Sequence, residues 1–234
     1  MRGGSFFGEK TFYMAYTSDC SNDKPGDFTS FTMMGDDAVF NAPMSFNSRT
    51  NAYPTVFNLN GGRFTPKSLG TTRAVAQNPN YFNFNGGTLA TYETSRRLVP
   101  FIQPTIATRV QAGGARIEVG LDSWAELPGV LAEDLASIGG GLTKAGYGTL
   151  VLLGSNTYTG ATRVEGGCLL VKDATAVANS SSVHVAGEAS FGVFGENRAV
   201  GGDDLNLRIV ERLIAHALRP PALDALDPPV RRTV

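Results

Sequence analysis

Paired glycines recur along this chain at an almost constant interval. They stand at Gly61-Gly62, Gly86-Gly87, Gly113-Gly114, Gly140-Gly141 and Gly166-Gly167, in steps of 25, 27, 27 and 26 residues. The flanks repeat as well. Asn58-Leu59-Asn60-Gly61-Gly62-Arg63-Phe64 aligns with Asn83-Phe84-Asn85-Gly86-Gly87-Thr88-Leu89, and Ala107-Thr108-Arg109-Val110 aligns with Ala161-Thr162-Arg163-Val164 two periods later. A content of 28 glycines in 234 residues explains frequent doublets but not their even spacing. Self-similarity of this length marks a solenoid, a propeller or an array, in which each unit buries its apolar face only against its neighbours.

Strand signals within each period are short. Thr55 to Leu59, Arg116 to Val119, Thr149 to Leu153 and Ser182 to Val185 mix apolar and polar residues in partial alternation, and each run ends one or two residues before a Gly or Asn. The Asn-Gly and Gly-Gly pairs supply positive φ at corners. One helical competitor stands out, Asp122 to Ile138 with Trp124, Leu127, Val130, Leu131 and Leu135, although Pro128 and Gly129 interrupt it.

These patterns predict an all-β chain folded as a right-handed parallel β-helix (a β-solenoid), with two or three strands per coil. Roughly 175 residues in coils of about 25 give about seven coils and a rod of about 30 to 35 Å at the strand spacing of a sheet. Val56, Leu89, Ile117, Leu150, Leu152 and Val171 are expected to form its dry inner column. A propeller is the rival, but its blades need about 40 residues and more aromatic markers.

Composition narrows the function. The formal charge is −1 and the sequence pI about 6.1, which gives no bulk attraction to nucleic acid or anionic lipid. Two cysteines, Cys20 and Cys168, and two histidines, His184 and His216, leave no compact four-cysteine or Cys₂His₂ zinc site. No stretch approaches the length of a membrane helix, and residues 1–10 lack an apolar signal-peptide core. Both cysteines are expected to be unpaired.

One segment says more. Between residues 140 and 171 the chain presents Gly141, Leu142, Lys144, Gly146, Gly148, Thr149, Leu150, Leu152, Gly154, Asn156, Thr157, Tyr158, Thr159, Gly160, Thr162, Val164, Gly167 and Leu169. This series closely resembles the autotransporter-associated β-strand repeat, also called the passenger-associated transport repeat. The resemblance covers 32 of 234 residues. It departs at Cys168, where a threonine is usual, and at Tyr147, where a small residue is usual. Phe84 to Leu89 resembles a degenerate copy, and Gly35 to Phe40 resembles the lead-in to such repeats.

The resemblance implies a passenger region of a type V secreted surface protein. It implies an extracellular or cell-surface location associated with the outer membrane, a translocator β-barrel as partner in the parent protein, and a repeat that assists export by folding early. It implies a structural stalk rather than an enzyme, with no cofactor. The expected reading of the motif is that Leu150 and Leu152 point inward and that Asn156 joins a polar ladder between coils.

Two other readings stay open. A glycan-cleaving β-helix enzyme would use paired carboxylates such as Asp36-Asp37 or Asp203-Asp204, which read more simply as turn residues. A glycan-binding adhesin, with host or matrix glycans as partners, would use Tyr81, Phe82, Phe84 and Tyr92 as a stacking face, although core aromatics are the simpler expectation. His184 is expected to face outward on its strand, and Arg96-Arg97 reads as a loop pair.

The domain reading is an irregular segment or worn coil over 1–27, the β-helix over 28–204, and an atypical tail over 205–234. The tail holds an amphipathic helix at 207–218 and then a disordered proline-rich end. It reads as a truncated or frameshifted continuation, with a separate cap as the alternative.

Overall fold

The computed structural model describes residues 5–7, 12–14, 29–41, 44–46, 55–66, 69–71, 80–91, 97–98, 101–193 and 199–201. The strands follow one another as rungs of a three-sided solenoid. The first rung comprises β1 (Ser5–Phe7) and β2 (Phe12–Met14). Five complete three-strand coils follow. They are β3 (Thr29–Met33), β4 (Val39–Asn41) and β5 (Met44–Phe46); β6 (Thr55–Leu59), β7 (Arg63–Phe64) and β8 (Leu69–Thr71); β9 (Asn80–Phe84), β10 (Thr88–Ala90) and β11 (Arg97–Leu98); β12 (Ile106–Val110), β13 (Ala115–Glu118) and β14 (Trp124–Leu127); and β15 (Leu131–Glu133), β16 (Leu142–Ala145) and β17 (Thr149–Leu152). Two shorter coils close the series, β18 (Thr162–Val164) with β19 (Cys168–Val171), and β20 (Val183–Val185) with β21 (Ser190–Val193). A last strand, β22 (Ala199–Gly201), turns back to pair antiparallel with β21.

Every other pairing among the described residues is parallel. One face is an eight-stranded sheet in the order β1-β4-β7-β10-β13-β16-β18-β20. A second is the five-stranded sheet β3-β6-β9-β12-β15, and the third is formed by β2-β5-β8 and by β11-β14-β17-β19-β21 with β22. The chain is therefore a parallel β-helix, as its glycine spacing and short strands predict.

The register corrects one part of the repeat. The first four glycine doublets all lead into the eight-stranded sheet, ahead of β7, β10, β13 and β16. Gly166-Gly167 instead leads into β19 on the third face, above the Gly146-Tyr147-Gly148 corner. The residues that stack on Gly140-Gly141 are Gly160-Ala161. Likewise Thr108-Arg109-Val110 lies on β12 of the five-stranded sheet, whereas Thr162-Arg163-Val164 lies on β18 of the eight-stranded one. The cause is a shortened coil. Successive rungs of the eight-stranded sheet place Val39, Arg63, Thr88, Arg116, Thr143, Arg163 and His184 in one column, at steps of 24, 25, 28, 27, 20 and 21 residues. The five-stranded sheet ends at β15, and residues 154–160 cross that face without a strand.

Asp122 to Ile138 is not a helix. It is β14, a corner at Pro128-Gly129 and β15. Proline fixes φ and removes a donor, which suits the corner. Only Leu127 and Leu131 of its apolar set enter the core, while Val130, Leu135 and Ile138 are exposed. The expected helix at 207–218, Asp203-Asp204, Cys20, Tyr92, Arg96 and His216 lie outside the described residues.

The core is an axial column. Leu59, Phe64, Leu89, Ile117, Leu150, Leu152, Leu169 and Val171 are buried in it. Val56 was expected there but faces the other way. It is in register with Tyr81, while its neighbour Phe57 joins Phe31 and Phe82 in an interior stack with centroids 5.2 and 5.0 Å apart. Phe82 and Phe84 are fully buried, so they offer no stacking face to a glycan; Tyr81 is half-buried under the guanidinium of Arg109, 3.8 Å from its ring centre.

Candidate functional site

The segment that carries the family resemblance occupies one coil and parts of the next. Gly141 opens it, pressed against Ala161 of the following coil. Leu142 and Lys144 lie on β16, both inward. Gly146 and Gly148 make the corner into β17, where Thr149, Leu150 and Leu152 follow. Gly154, Asn156, Thr157, Tyr158, Thr159 and Gly160 cross the strandless face. Thr162 and Val164 lie on β18, Gly167 turns, and Leu169 is buried on β19.

The glycines mark where neighbouring backbones touch. Gly146 has φ +73°, and a side chain there would meet the carbonyl of Val119 in the coil below. A side chain at Gly148 would meet the carbonyls of Gly120 and Ser123. Positive φ disfavours any Cβ, and here the backbone leaves no room for one either.

Lys144 is unexpected from pattern alone. It stands in register between Ile117 and Val164, where an aliphatic residue would fill the core, and its side chain is fully buried. The stem runs through the interior and the ammonium donates to three carbonyls, those of Ala145 at 2.9 Å, Gly146 at 2.7 Å and Gly166 at 2.9 Å. All three protons of the ammonium are thereby used. Burial lowers its pKa from 10.5 to about 8, against the opposing pull of Cys168 and Glu118.

Asn156 does a strand's work without a strand. Its side chain is buried. Its Oδ1 accepts from the backbone N–H of Leu131 in the coil below, at 2.8 Å, and its Nδ2 donates to the carbonyl of Ala176 in the coil above, at 2.8 Å. One carboxamide thus replaces a peptide group in the ladder of the interrupted sheet. The expected polar ladder exists elsewhere, where Asn83 Nδ2 donates to Asn58 Oδ1 at 2.8 Å and Asn58 Nδ2 to Thr32 Oγ1 at 3.2 Å.

The rest of the crossing is bonded in the same manner. The hydroxyl of buried Tyr158 lies 2.7 Å from Thr162 Oγ1, which lies 3.0 Å from Ser180 Oγ of the next coil. Burial pushes the Tyr158 phenol up to about 12, opposed by its bond to Thr162. Glu133 Oε2 accepts from the backbone N–H of Thr159 at 2.7 Å, while its Oε1 accepts from the Thr159 hydroxyl at 3.0 Å and from the N–H of Gly139. Glu133 and Ser180 were not singled out in the sequence. Their only signal there is distance, 26 residues before Thr159 and 18 after Thr162.

The remaining sequence candidates do not assemble. Asp36 and Asp37 are exposed in the corner between β3 and β4, and His184 is exposed on β20 with Nε2 3.0 Å from Ser182 Oγ. Cys168 is a half-buried free thiol. Among the described residues no three His, Cys, Asp or Glu side chains converge as a metal site would require. What the site holds is a coil in which Lys144, Asn156, Thr157, Thr159 and Thr162 each bond backbone or side chains of an adjacent coil.

Comparison with known proteins gives the same segment. The passenger-associated-transport-repeat family matches residues 142–171. The chain carries a passenger-associated transport repeat. Two extracellular serine proteases of Serratia marcescens match part of it, one at 40% identity over 79 residues and the other at 48% over 65. These matches cover 33% and 27% of this chain, but only 7% and 6% of the relatives, so the chain spans a small fraction of their length. No solved structure matches. The repeat belongs to autotransporter passengers, and a secreted or surface location goes with it.

Proposed function

We propose that the chain is a stalk segment of an exported passenger, and that its repeat assists export by folding early outside the cell and nucleating the coils on either side. The partner in this reading is an outer-membrane β-barrel belonging to the parent protein. The carrying observation is the bonding of the repeat to the coils on either side at once through Asn156, to Leu131 and Ala176, while Lys144 ties the two coils of the repeat together through Gly166. Stability in a solenoid is a sum of coil and interface terms, so a coil with strong interfaces is where growth starts most readily. Folding outside then biases the chain against sliding back. The role of the repeat in this reading is structural, and the inter-coil bonds of Lys144, Asn156 and Thr162 support it.

The test is export of a passenger fused to its barrel, read as protease-accessible passenger on intact cells. Leu150→Asp with Leu152→Asp removes two core leucines of the repeat coil, and Phe57→Asp disrupts a coil outside it. Export is expected to fall severalfold for the repeat variant and much less for Phe57→Asp. Unchanged export of the repeat variant, or an equal loss for both, would show that the repeat has no special part in export.

A further inference from the structure

The dipeptide Asn-Gly occurs twice in the chain, at Asn60-Gly61 and Asn85-Gly86, each time followed by a second glycine. The two pairs occupy the same corner of successive coils, 25 residues apart, ahead of β7 and β10. Glycine has no side chain to shield its amide nitrogen, so an asparagine before it is open to attack by that nitrogen. By sequence the two sites are equivalent. The fold separates them.

Asn85 is clamped at both reacting groups. Its Oδ1 accepts from the N–H of Gly113 in the coil above at 2.9 Å, which holds the carboxamide against that coil. The N–H of Gly86, the nucleophile, donates to the carbonyl of Gly114 at 2.9 Å. Asn60 has neither restraint. Its side chain is exposed, and neither its carboxamide nor the N–H of Gly61 makes a hydrogen bond among the described residues. One bond accounts for both outcomes. The donor placed to clamp Asn60, as Gly113 clamps Asn85, is the N–H of Gly86, and that N–H is already given to Gly114.

We infer that Asn60 is a site of spontaneous covalent modification in the folded protein, deamidation through a succinimide, and that its twin Asn85 is protected by the coil stacked on it. The reaction needs only water and hydroxide. The Gly61 nitrogen gives its proton to hydroxide and forms a bond to Asn60 Cγ. The Cγ–Nδ2 bond breaks, Nδ2 takes a proton from water, and ammonia leaves. Water then opens the ring at one of its two carbonyls, giving aspartate or isoaspartate. The net change is one water consumed and one ammonia released. The new carboxylate stands in a corner stacked on Gly35, whose neighbours Asp36 and Asp37 are exposed, so each conversion adds a like charge there.

The test uses the 234-residue protein without substitution, incubated at mildly alkaline pH either native or in urea. Trypsin cuts between the two sites at Arg63, Lys67 and Arg73, and fragment mass spectra read the conversion at each asparagine. Each native rate is divided by the same site's rate in urea, which cancels the difference between Leu59 and Phe84 as preceding residues. The ratio for Asn60 is expected to exceed that for Asn85 at least about tenfold, because Asn85 reacts only after two hydrogen bonds have opened. Equal ratios overturn the inference, whether both sites react freely or both are silent, and so does a larger ratio for Asn85. Isoaspartate alongside aspartate at Asn60 marks the succinimide route, and aspartate alone overturns that step.

Discussion

The ammonium of Lys144 donates to the carbonyl of Gly166, 22 residues further on and one coil higher, at 2.9 Å. The same group holds the carbonyls of Ala145 and Gly146 in its own corner. Lys144→Met keeps the stem's volume and leaves three carbonyls without that donor. A loss of about 1 to 3 kcal/mol in urea unfolding at pH 7 is expected, the range for unsatisfied buried polar groups. The pH dependence has a definite sign. The folded pKa is about 8 and the unfolded one 10.5, so the unfolded chain binds more protons between those values. Wild-type stability relative to Lys144→Met therefore rises from pH 8 toward 10.5. A gap that stays flat or narrows over that window contradicts the burial of the charge.

Asn156 bridges backbone groups of two coils, so its removal is felt on both sides. Asn156→Ala leaves the N–H of Leu131 and the carbonyl of Ala176 unpaired in the interior and is expected to destabilise by about 2 to 4 kcal/mol. Asn156→Asp retains the acceptor for Leu131 but sets a carboxylate against the Ala176 carbonyl, and it should be no better tolerated. Amide exchange locates the effect. The Leu131 N–H should lose protection in Asn156→Ala, and retained protection there would mean another acceptor serves it.

Two neighbouring glycine positions should behave oppositely. Gly146→Ala places a Cβ at φ +73° against the Val119 carbonyl, and a loss of at least about 2 kcal/mol is expected. At Gly166 an added Cβ finds its nearest neighbour, the Gly146 carbonyl, at 3.4 Å, and no positive φ stands in the way. Gly166→Ala is therefore expected to be within about 0.5 kcal/mol of wild type. Thermal melts of the two variants side by side decide the matter, and similar melting points would remove the close-approach explanation.

Tyr158 titrates in the opposite sense to Lys144. Its phenol stays protonated to about pH 12 in the fold, whereas the unfolded chain ionises near 10. The folded state then holds the extra proton, so this contribution is lost as pH rises above 10. Tyr158→Phe should flatten that alkaline decline. At pH 7 it should lower stability by about 0.5 to 1.5 kcal/mol through the lost bond to Thr162. Absorbance of phenolate in the native protein should show one tyrosine appearing only near unfolding.

The glycine spacing was legible because corner glycines are where coils touch, and that contact repeats with the coil. Counting residues misled at the fifth doublet, since Gly154 to Gly160 cross one face in seven residues without a strand and shift every later position to another corner. The 122–138 segment misled for a related reason. Leu127 and Leu131 are four apart, which suits a helix, but they sit on two strands either side of the Pro128 corner. Lys144 and Asn156 were legible as members of a known pattern but not in their roles, because both act on backbone groups about 20 residues away that sequence patterns do not mark.

The described coils divide into two kinds of cohesion, and this division can be measured. From β3 to β9 the interior is held by aromatic stacking, with Phe31, Phe57 and Phe82 in one column and the Phe57 and Phe82 rings only 4° from parallel. From β15 onward the column is aliphatic, with Leu142, Leu150, Leu152 and Leu169, and is reinforced by buried polar groups that bond across coils, Lys144, Asn156 and Thr162. Phe57→Ala removes the middle ring of the stack and is expected to cost about 3 to 5 kcal/mol. In a solenoid that loss stays near its source, since each coil is tied only to its neighbours. Hydrogen exchange of this variant should show lost protection across β3, β6 and β9 while the amides of β16 to β19 remain protected. Uniform loss along the whole rod would mean that the coils unfold as one cooperative unit, and the repeat could not then fold ahead of its neighbours.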